Sequence, residues 1–269
     1  MPVSGVRSRL HLVAMSATIP RALTLAALIC AVSAGTALAQ ASRVPAGIPA
    51  SPSYDVRRAP DAHADLLAAD DGAWQRAQVI SWGPAPYETR FRALWSPTGL
   101  YLRWDADDTA PWHTMTNRDD HLWEEEVVEI FLDPSWKGTG YWELEISPAN
   151  VVCDVRMVDV YPNVTSDLTW DHEGLETRAR EVPGPDGKPV RWVATAFAPW
   201  TGFAKLPVDA GVALPPRPGD GWGFNVFRIE RPNGPAEPRK GNVSVAWSPT
   251  GKPSFHVPDA FRRFTFVGD

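Results

Sequence analysis

Two glutamates separated by one residue, Glu143 and Glu145 in YWELEI, follow a third, Glu129, which interrupts the apolar run VVEIFL. Residues i and i+2 of a strand share a face and lie about 6.5–7 Å apart at Cα. Paired carboxyl groups hydrolyse glycosides when they flank a bond roughly 5–5.5 Å or 6.5–9.5 Å apart. The Glu143/Glu145 spacing is compatible with either geometry and diagnostic of neither. The same carboxylates could instead accept hydrogen bonds from a hydroxylated ligand. Asp105, Asp107 and Asp108, with Asp119 and Asp120 further on, offer hard oxygen ligands suited to calcium, without the fixed glycine and terminal glutamate of an EF-hand loop. Aspartates so placed are also ordinary turn residues. His113, His121, His172 and His256 lack zinc spacing. No G-x-S-x-G, P-loop or dinucleotide fingerprint occurs, so no organic cofactor is expected.

Strands must position these groups. The segment Val127 to Leu132 is rich in β-branched and aromatic residues and is closed by Asp133-Pro134. Its alternation sends Val128, Ile130 and Leu132 to one face, and Val127, Glu129 and Phe131 to the other. Tyr141 to Ile146 and Val151 to Val158 form a hairpin. With Ser147 to Asn150 as a four-residue loop, Cys153, Val155 and Met157 share the apolar face of Trp142, Leu144 and Ile146. Cys153 then reads as inert core rather than nucleophile. In that register Glu143 lies opposite Asp154, with Arg156 diagonal to it. Like charges facing each other destabilise a sheet, so the pair requires Arg156, a cation or a ligand that donates hydrogen bonds. The alternative is a solvated outer face.

Further strands are expected at Arg90 to Trp95 and Leu100 to Asp105, joined by the turn Ser96-Pro97-Thr98-Gly99. Others follow at Arg191 to Phe197, Trp222 to Glu230, Asn242 to Trp247 and Phe261 to Val267. Helical pattern is confined to Ala62 to Ala69. Many short strands with frequent turns predict an all-β fold, an antiparallel β-sandwich of jelly-roll or immunoglobulin-like type.

Arg7, Arg9 and Arg21, the apolar run Ala22 to Ala34 and Ala37-Leu38-Ala39 predict a signal peptide over residues 1–39, cleaved after Ala39. A flexible Ala/Pro/Ser/Gly tether over 40–53 and a domain over 54–269 follow. Export to the periplasm or the extracellular space is expected, and no segment is long and apolar enough to span a bilayer. Without residues 1–39 the chain keeps 23 basic and 32 acidic residues, about −9, which repels phosphate backbones and argues against nucleic acid. Only Cys153 remains, so no internal disulfide can form. All 13 tryptophans lie beyond Ala39, enough to fill a core and leave some at a wet surface. The sequence does not indicate an oligomeric state.

The ordered series Trp74-Gln-Arg-Ala77, Arg92-Ala-Leu-Trp95, Leu100-Tyr-Leu102, Asp107-Asp108, Leu122-Trp123, Val128-Glu-Ile-Phe-Leu-Asp133 and Tyr141 resembles family 9 carbohydrate-binding modules. So do Gly223-Phe-Asn-Val226, Ala246-Trp-Ser248 and Phe255-His-Val-Pro258 with Phe261. The resemblance implies a DOMON-like β-sandwich with bound calcium that grips a mono-, oligo- or polysaccharide between two aromatic rings without catalysis. It places Trp123 and Phe255 at the clamp, Phe255 standing where the best-known members have tryptophan. It makes Glu129 the acceptor of sugar hydroxyls. The family's Arg and Asn on the next strand match Glu143 and Glu145 here, a departure that leaves Arg156 as a substitute donor. For the carboxylates the alternatives are a structural ion pair of Glu129 with Arg90 or Arg92, or a glycosidase using Glu143/Glu145. DOMON-like sandwiches also bind haem b for electron transfer. In that reading Met157, with His172 or His256, would be the axial pair.

Overall fold

The Ser96–Gly99 turn closes its hairpin as its residues predict. The Ser96 amide donates to Gly99 O at 2.9 Å, and Ser96 Oγ accepts from the Thr98 and Gly99 amides at 3.2 Å. Gly99 has to be a glycine for another reason: a Cβ there would meet Ala198 O and the Phe197 ring at 2.6 Å. The strands it joins, β3 (Thr89–Trp95) and β4 (Gly99–Asp107), pair without a bulge from Thr89–Ala106 to Trp95–Leu100.

A computed structural model describes residues 52–268, so the expected signal peptide and nearly all of the tether lie outside the described residues. The first strand, β1 (Tyr54–Arg58), is followed by α1 (His63–Leu67), β2 (Ile80–Trp82), β3 and β4. Next come β5 (Val127–Asp133), β6 (Trp142–Ile146), β7 (Val152–Asp159), β8 (Thr165–Asp167), β9 (Glu176–Pro183) and β10 (Pro189–Pro199). The chain ends with α2 (Trp200–Phe203), β11 (Gly221–Glu230), β12 (Val243–Ala246) and β13 (Arg262–Phe266). The strands run in the order β8-β7-β6-β5-β11-β13-β1-β3-β4-β10-β9, with β12 on β11 and β2 on β3.

The sandwich is not purely antiparallel as expected. Strand β1 pairs in parallel with β13 through Tyr54–Val56 and in parallel with β3 through Arg57–Arg58. It thereby changes sheet and makes the corner between the two layers. Among the described residues every other pairing is antiparallel.

Alternation along β5 is realised. Val128, Ile130 and Leu132 enter the inter-sheet core with Trp142, Leu144, Phe224, Trp104 and Trp192. Val127 and Phe131 join Phe227, Ile229 and Phe261 in a second cluster on the outer face of the same sheet. A large buried aromatic removes 150–250 Å² from water, up to about 4–6 kcal/mol at 25 cal/mol per Å². Trp104, Trp142 and Trp192, each fully buried, therefore anchor the layers without a disulfide. Both faces of β5 and β6 are thus covered, and Glu129, Glu143 and Glu145 are buried rather than solvated.

The β6–β7 register differs from the sequence expectation by one residue. The pairs are Ile146–Val152, Glu145–Cys153, Leu144–Asp154, Glu143–Val155 and Trp142–Arg156. The loop is five residues long, because Asn150 takes a left-handed conformation (φ 63°) and Ser147 hydrogen-bonds to Val151 through both backbone and hydroxyl. A one-residue slip moves every side chain of a strand to the other face. Cys153, Val155 and Met157 consequently flank the glutamates, while Asp154 and Arg156 face the opposite way. Asp154 is fully buried and accepts from Arg118 and from the His172 amide (2.7 Å). Arg156 pairs with Asp167 on β8 at 2.8 Å.

Candidate functional site

Neighbouring strands bring the three glutamates together. Glu129 on β5 lies directly opposite Glu145 on β6, with Phe227 of β11 on its other side; Glu143 is two residues along β6, between Phe131 and Val155. One oxygen from each carboxylate lies within 4.8 Å of the other two. The three residues are 1%, 6% and 1% exposed in the order Glu129, Glu143, Glu145. They line a cavity of about 670 Å³ together with Trp123 and Phe255. Five of the six saccharide-site residues expected from sequence therefore meet in one place. Arg156 does not, because the register slip turns it away. Glu129 is far from the expected structural role too: Arg90 and Arg92 pair with Asp107 and Asp105 in the other sheet.

Two rigid mounts hold the aromatic residues. Trp123 sits in a single 3-10 turn, Leu122–Glu124, whose Leu122 is buried and whose Trp123 carbonyl accepts from Arg231 Nη2 at 2.7 Å. Glu125 ties the preceding loop down by accepting from the Thr114 amide (2.8 Å) and the Met115 amide (3.2 Å). The Trp123 ring stacks on His121 at 4.5 Å and is 37% exposed, the most exposed tryptophan among the described residues. Phe255 stacks on Phe227 (4.4 Å, 22°), and its neighbour His256 stacks on Phe131 (4.9 Å, 13°).

The charge balance is unusual. Burial pushes Glu129 well above the ordinary carboxylate range, the Glu143 charge adds to the rise, and Arg231 opposes it. Glu145 is also raised far up, first by burial and then by Glu129 and Glu143. Burial raises Glu143 to about 8, with a hydrogen bond to Glu145 working against the rise. His256, 3.9 Å from Glu143, is lowered to about 4 by burial and so contributes no charge at neutral pH. Glu129 Oε1 and Glu145 Oε2 have no hydrogen-bond partner. Such groups cost about 1–3 kcal/mol each when left unmade, which marks a place prepared for a donor.

Sequence reasoning did not include Thr165, Ser166, Ser244, Lys252 and Ser254, and named His256 only as a candidate haem ligand; all six belong to the lining. They lie on the short polar strand β8, on β12, whose strand pattern does not mark Ser244 as a site residue, and on the loop after β12.

The expected calcium ligands separate. Asp105 is held by Arg92 and by a two-point contact from Arg103, and Asp107 by Arg90. Asp108 instead joins Glu126 and Glu230, which sequence reasoning did not include, in a buried group with oxygens within 4.8 Å. Arg228, fully buried, contacts Asp108 at 3.2 Å and also Glu230. Glu126 is raised to about 10 by burial, then by Glu230 and Asp108, and its Oε1 is without a partner. Asp119 belongs to a separate group around Arg118, with Asp154 and Asp171.

Residues 68–175 match the family described as carbohydrate family 9 binding domain-like. A relative named "Extracellular protein" from Arthroderma benhamiae is 27% identical over 188 residues, covering 67% of this chain and 79% of the relative. The fold is similar to that of a candidate carbohydrate-binding protein from Bacteroides uniformis, with TM-score 0.57, 17% identity, and 80% and 98% of the two chains covered. It is also similar to a family 9 carbohydrate-binding module from Caldicellulosiruptor kristjanssonii, solved with cellotriose, at TM-score 0.54, 14% identity, and 81% and 95% coverage. Among the described residues no helix is long and apolar enough to cross a membrane.

Proposed function

Given a chain whose residues 68–175 carry a carbohydrate family 9 binding domain-like segment, we propose that the cavity on β5, β6 and β7 binds saccharide without hydrolysing it. One observation carries the reading: an exposed tryptophan stands beside buried, unpartnered carboxylates in a single cavity. Sugar rings present C–H faces to aromatic rings, and their hydroxyls donate to carboxylates. Trp123 and Phe255 offer the first contact; Glu129, Glu143 and Glu145 take the second. The carboxylates stand side by side on one sheet face, not on opposite sides of a bond, and that arrangement supports binding over glycoside cleavage. Export belongs to this proposal, supported by the name of the Arthroderma relative; cleavage after Ala39 is proposed on the sequence pattern alone.

A disaccharide of about 23 heavy atoms at roughly −0.3 kcal/mol per atom would bind near 10 μM. A glycan array followed by calorimetry tests the proposal. Trp123→Ala should weaken binding about tenfold or more through lost stacking, and Glu129→Gln by roughly 10- to 150-fold through lost charge-assisted hydrogen bonds. Folded variants that bind as tightly as wild type would place the site elsewhere. The haem reading keeps one observation, that Met157 and His256 line the same cavity. Trp123 and Glu129 have no role in that scheme, which ranks that reading second. A Soret band in the purified protein would reverse the ranking.

Calcium is proposed at Asp108, Glu126 and Glu230, where three hard oxygen donors exceed the single charge of Arg228 and one oxygen is unpartnered. Asp105 and Asp107 do not fit, since arginines already occupy them. Binding only to the native state raises stability by mass action. Chelation should therefore lower the melting temperature; an unchanged value would remove calcium from the account.

A further inference from the structure

Resting on the saccharide reading, we propose that the ligand is an amino sugar whose free ammonium group sits among Glu129, Glu143 and Glu145. The strand pairing fixes this triangle: Glu129 and Glu145 face each other across β5 and β6, and Glu143 lies on the same side two residues along. An ammonium has three donors and no acceptor. With N–H···O contacts of about 2.8 Å in tetrahedral directions, its three acceptors stand about 4.6 Å apart. The three carboxylates present oxygens within 4.8 Å of one another. A neutral sugar hydroxyl brings one donor and no charge, and would leave most of the triangle unanswered.

The protein's own groups do not balance the triad. Among the described residues its one ion-pair contact is His256, which burial keeps neutral. Arg231 lies near Glu129 and moderates its rise, but it donates to the Trp123 carbonyl and does not line the cavity. Lys252 is an exposed residue of the cavity lining, on the loop after β12. Tyr141, whose hydroxyl lies 3.1 Å from His256 Nδ1, and Cys153 opposite Glu145 are both kept neutral by burial. Glu129 Oε1 and Glu145 Oε2, on side chains 1% exposed, are unpartnered and belong to the cavity lining.

A divalent cation is the obvious rival occupant. Calcium takes six to eight oxygen ligands, whereas strand β7 sets Cys153 and Val155 directly against Glu145 and Glu143. Sulfur and hydrocarbon cannot complete that shell. They suit the ring of a sugar, and the faces of Trp123 and Phe255 attract a cation as well as C–H groups.

Calorimetry on the full chain, in a chelator, should compare a β-1,4-linked glucosamine oligosaccharide with its N-acetylated and its all-hydroxyl counterparts. The free amine is expected to bind about tenfold tighter or more, the size of one charge-assisted hydrogen bond. Glu145→Gln, which removes one carboxyl of the triad and should fold, is expected to abolish that preference by weakening the free amine far more than the two neutral sugars. Equal binding of the three sugars, or a preference that survives Glu145→Gln and Glu143→Gln together, would overturn the amino-sugar assignment and leave the saccharide reading standing. So would binding that appears only when calcium is restored. Binding of none of the three would overturn both.

Discussion

Arg228→Met is expected to destabilise the protein by about 3–5 kcal/mol, the range for removing one partner of a buried ion pair. Arg228 is fully buried, lies 5.0 Å from the Trp192 ring centroid, and contacts Asp108 and Glu230, with Glu126 in the same group. Methionine fills similar space, so the loss is of charge more than of packing. Three buried carboxylates would remain against no guanidinium. For a domain of this size each kcal/mol moves the melting temperature by roughly 2–4 °C, giving a fall of about 6–20 °C. Denaturant titration measures it directly. Adding Asp108→Asn and Glu230→Gln to Arg228→Met should recover part of the loss, and calcium should stabilise the single variant more than the wild type. A stability within about 1 kcal/mol of wild type for Arg228→Met alone would show that the cluster is neutral without its arginine.

The second large effect has the opposite sign. Glu145→Gln should stabilise the unliganded protein at pH 8 by on the order of 2 kcal/mol, roughly 4–8 °C. Glu145 is raised by burial and by Glu129 and Glu143, and Glu143 by burial to about 8 from an unfolded value of 4.5. Native pKa values above the unfolded ones mean that the folded state binds more protons between about pH 4.5 and 8. Stability from these groups is therefore present in full below 4.5 and is lost as pH rises through the native values. The advantage of Glu145→Gln over wild type should widen from pH 5 to pH 8. The difference between the two proteins cancels the buried histidines His172 and His256, each lowered to about 4, which act in the acid range in both. A constant or shrinking difference would contradict burial of the triad as its cause. The same substitution should damage binding, a case of stability set aside for function.

The sequence made the β5 face legible because its alternation is strict: Val128, Ile130 and Leu132 fill the core, and Glu129 shares the outer face with Phe131. Trp123 was legible as a tryptophan just ahead of that strand. Arg156 was not, because its face depends on whether the preceding loop has four or five residues, and only the left-handed Asn150 decides that. Asp108 was separated from Asp105 and Asp107 by long-range partners, Glu126 and Glu230, which adjacency in sequence cannot supply. Strand β9 escaped notice because it is a largely exposed edge with a polar pattern, Glu176 to Pro183. Strand β1 and the parallel corner it makes rest on partners distant in sequence, Phe264 to Phe266 and Leu94–Trp95.

Amide hydrogen exchange with and without the saccharide selected on the array tests most directly whether this cavity is the binding site. The strands beneath it are buried already, so the response should come from the loops that surround it. Exchange is expected to slow in the Leu122–Glu124 turn, at Thr165 and Ser166, and from Lys252 to His256, all of which border the cavity or carry its lining. Protection confined to a different crevice, such as the one where Leu67 to Ala69 meet Arg178 to Arg180, would contradict the assignment.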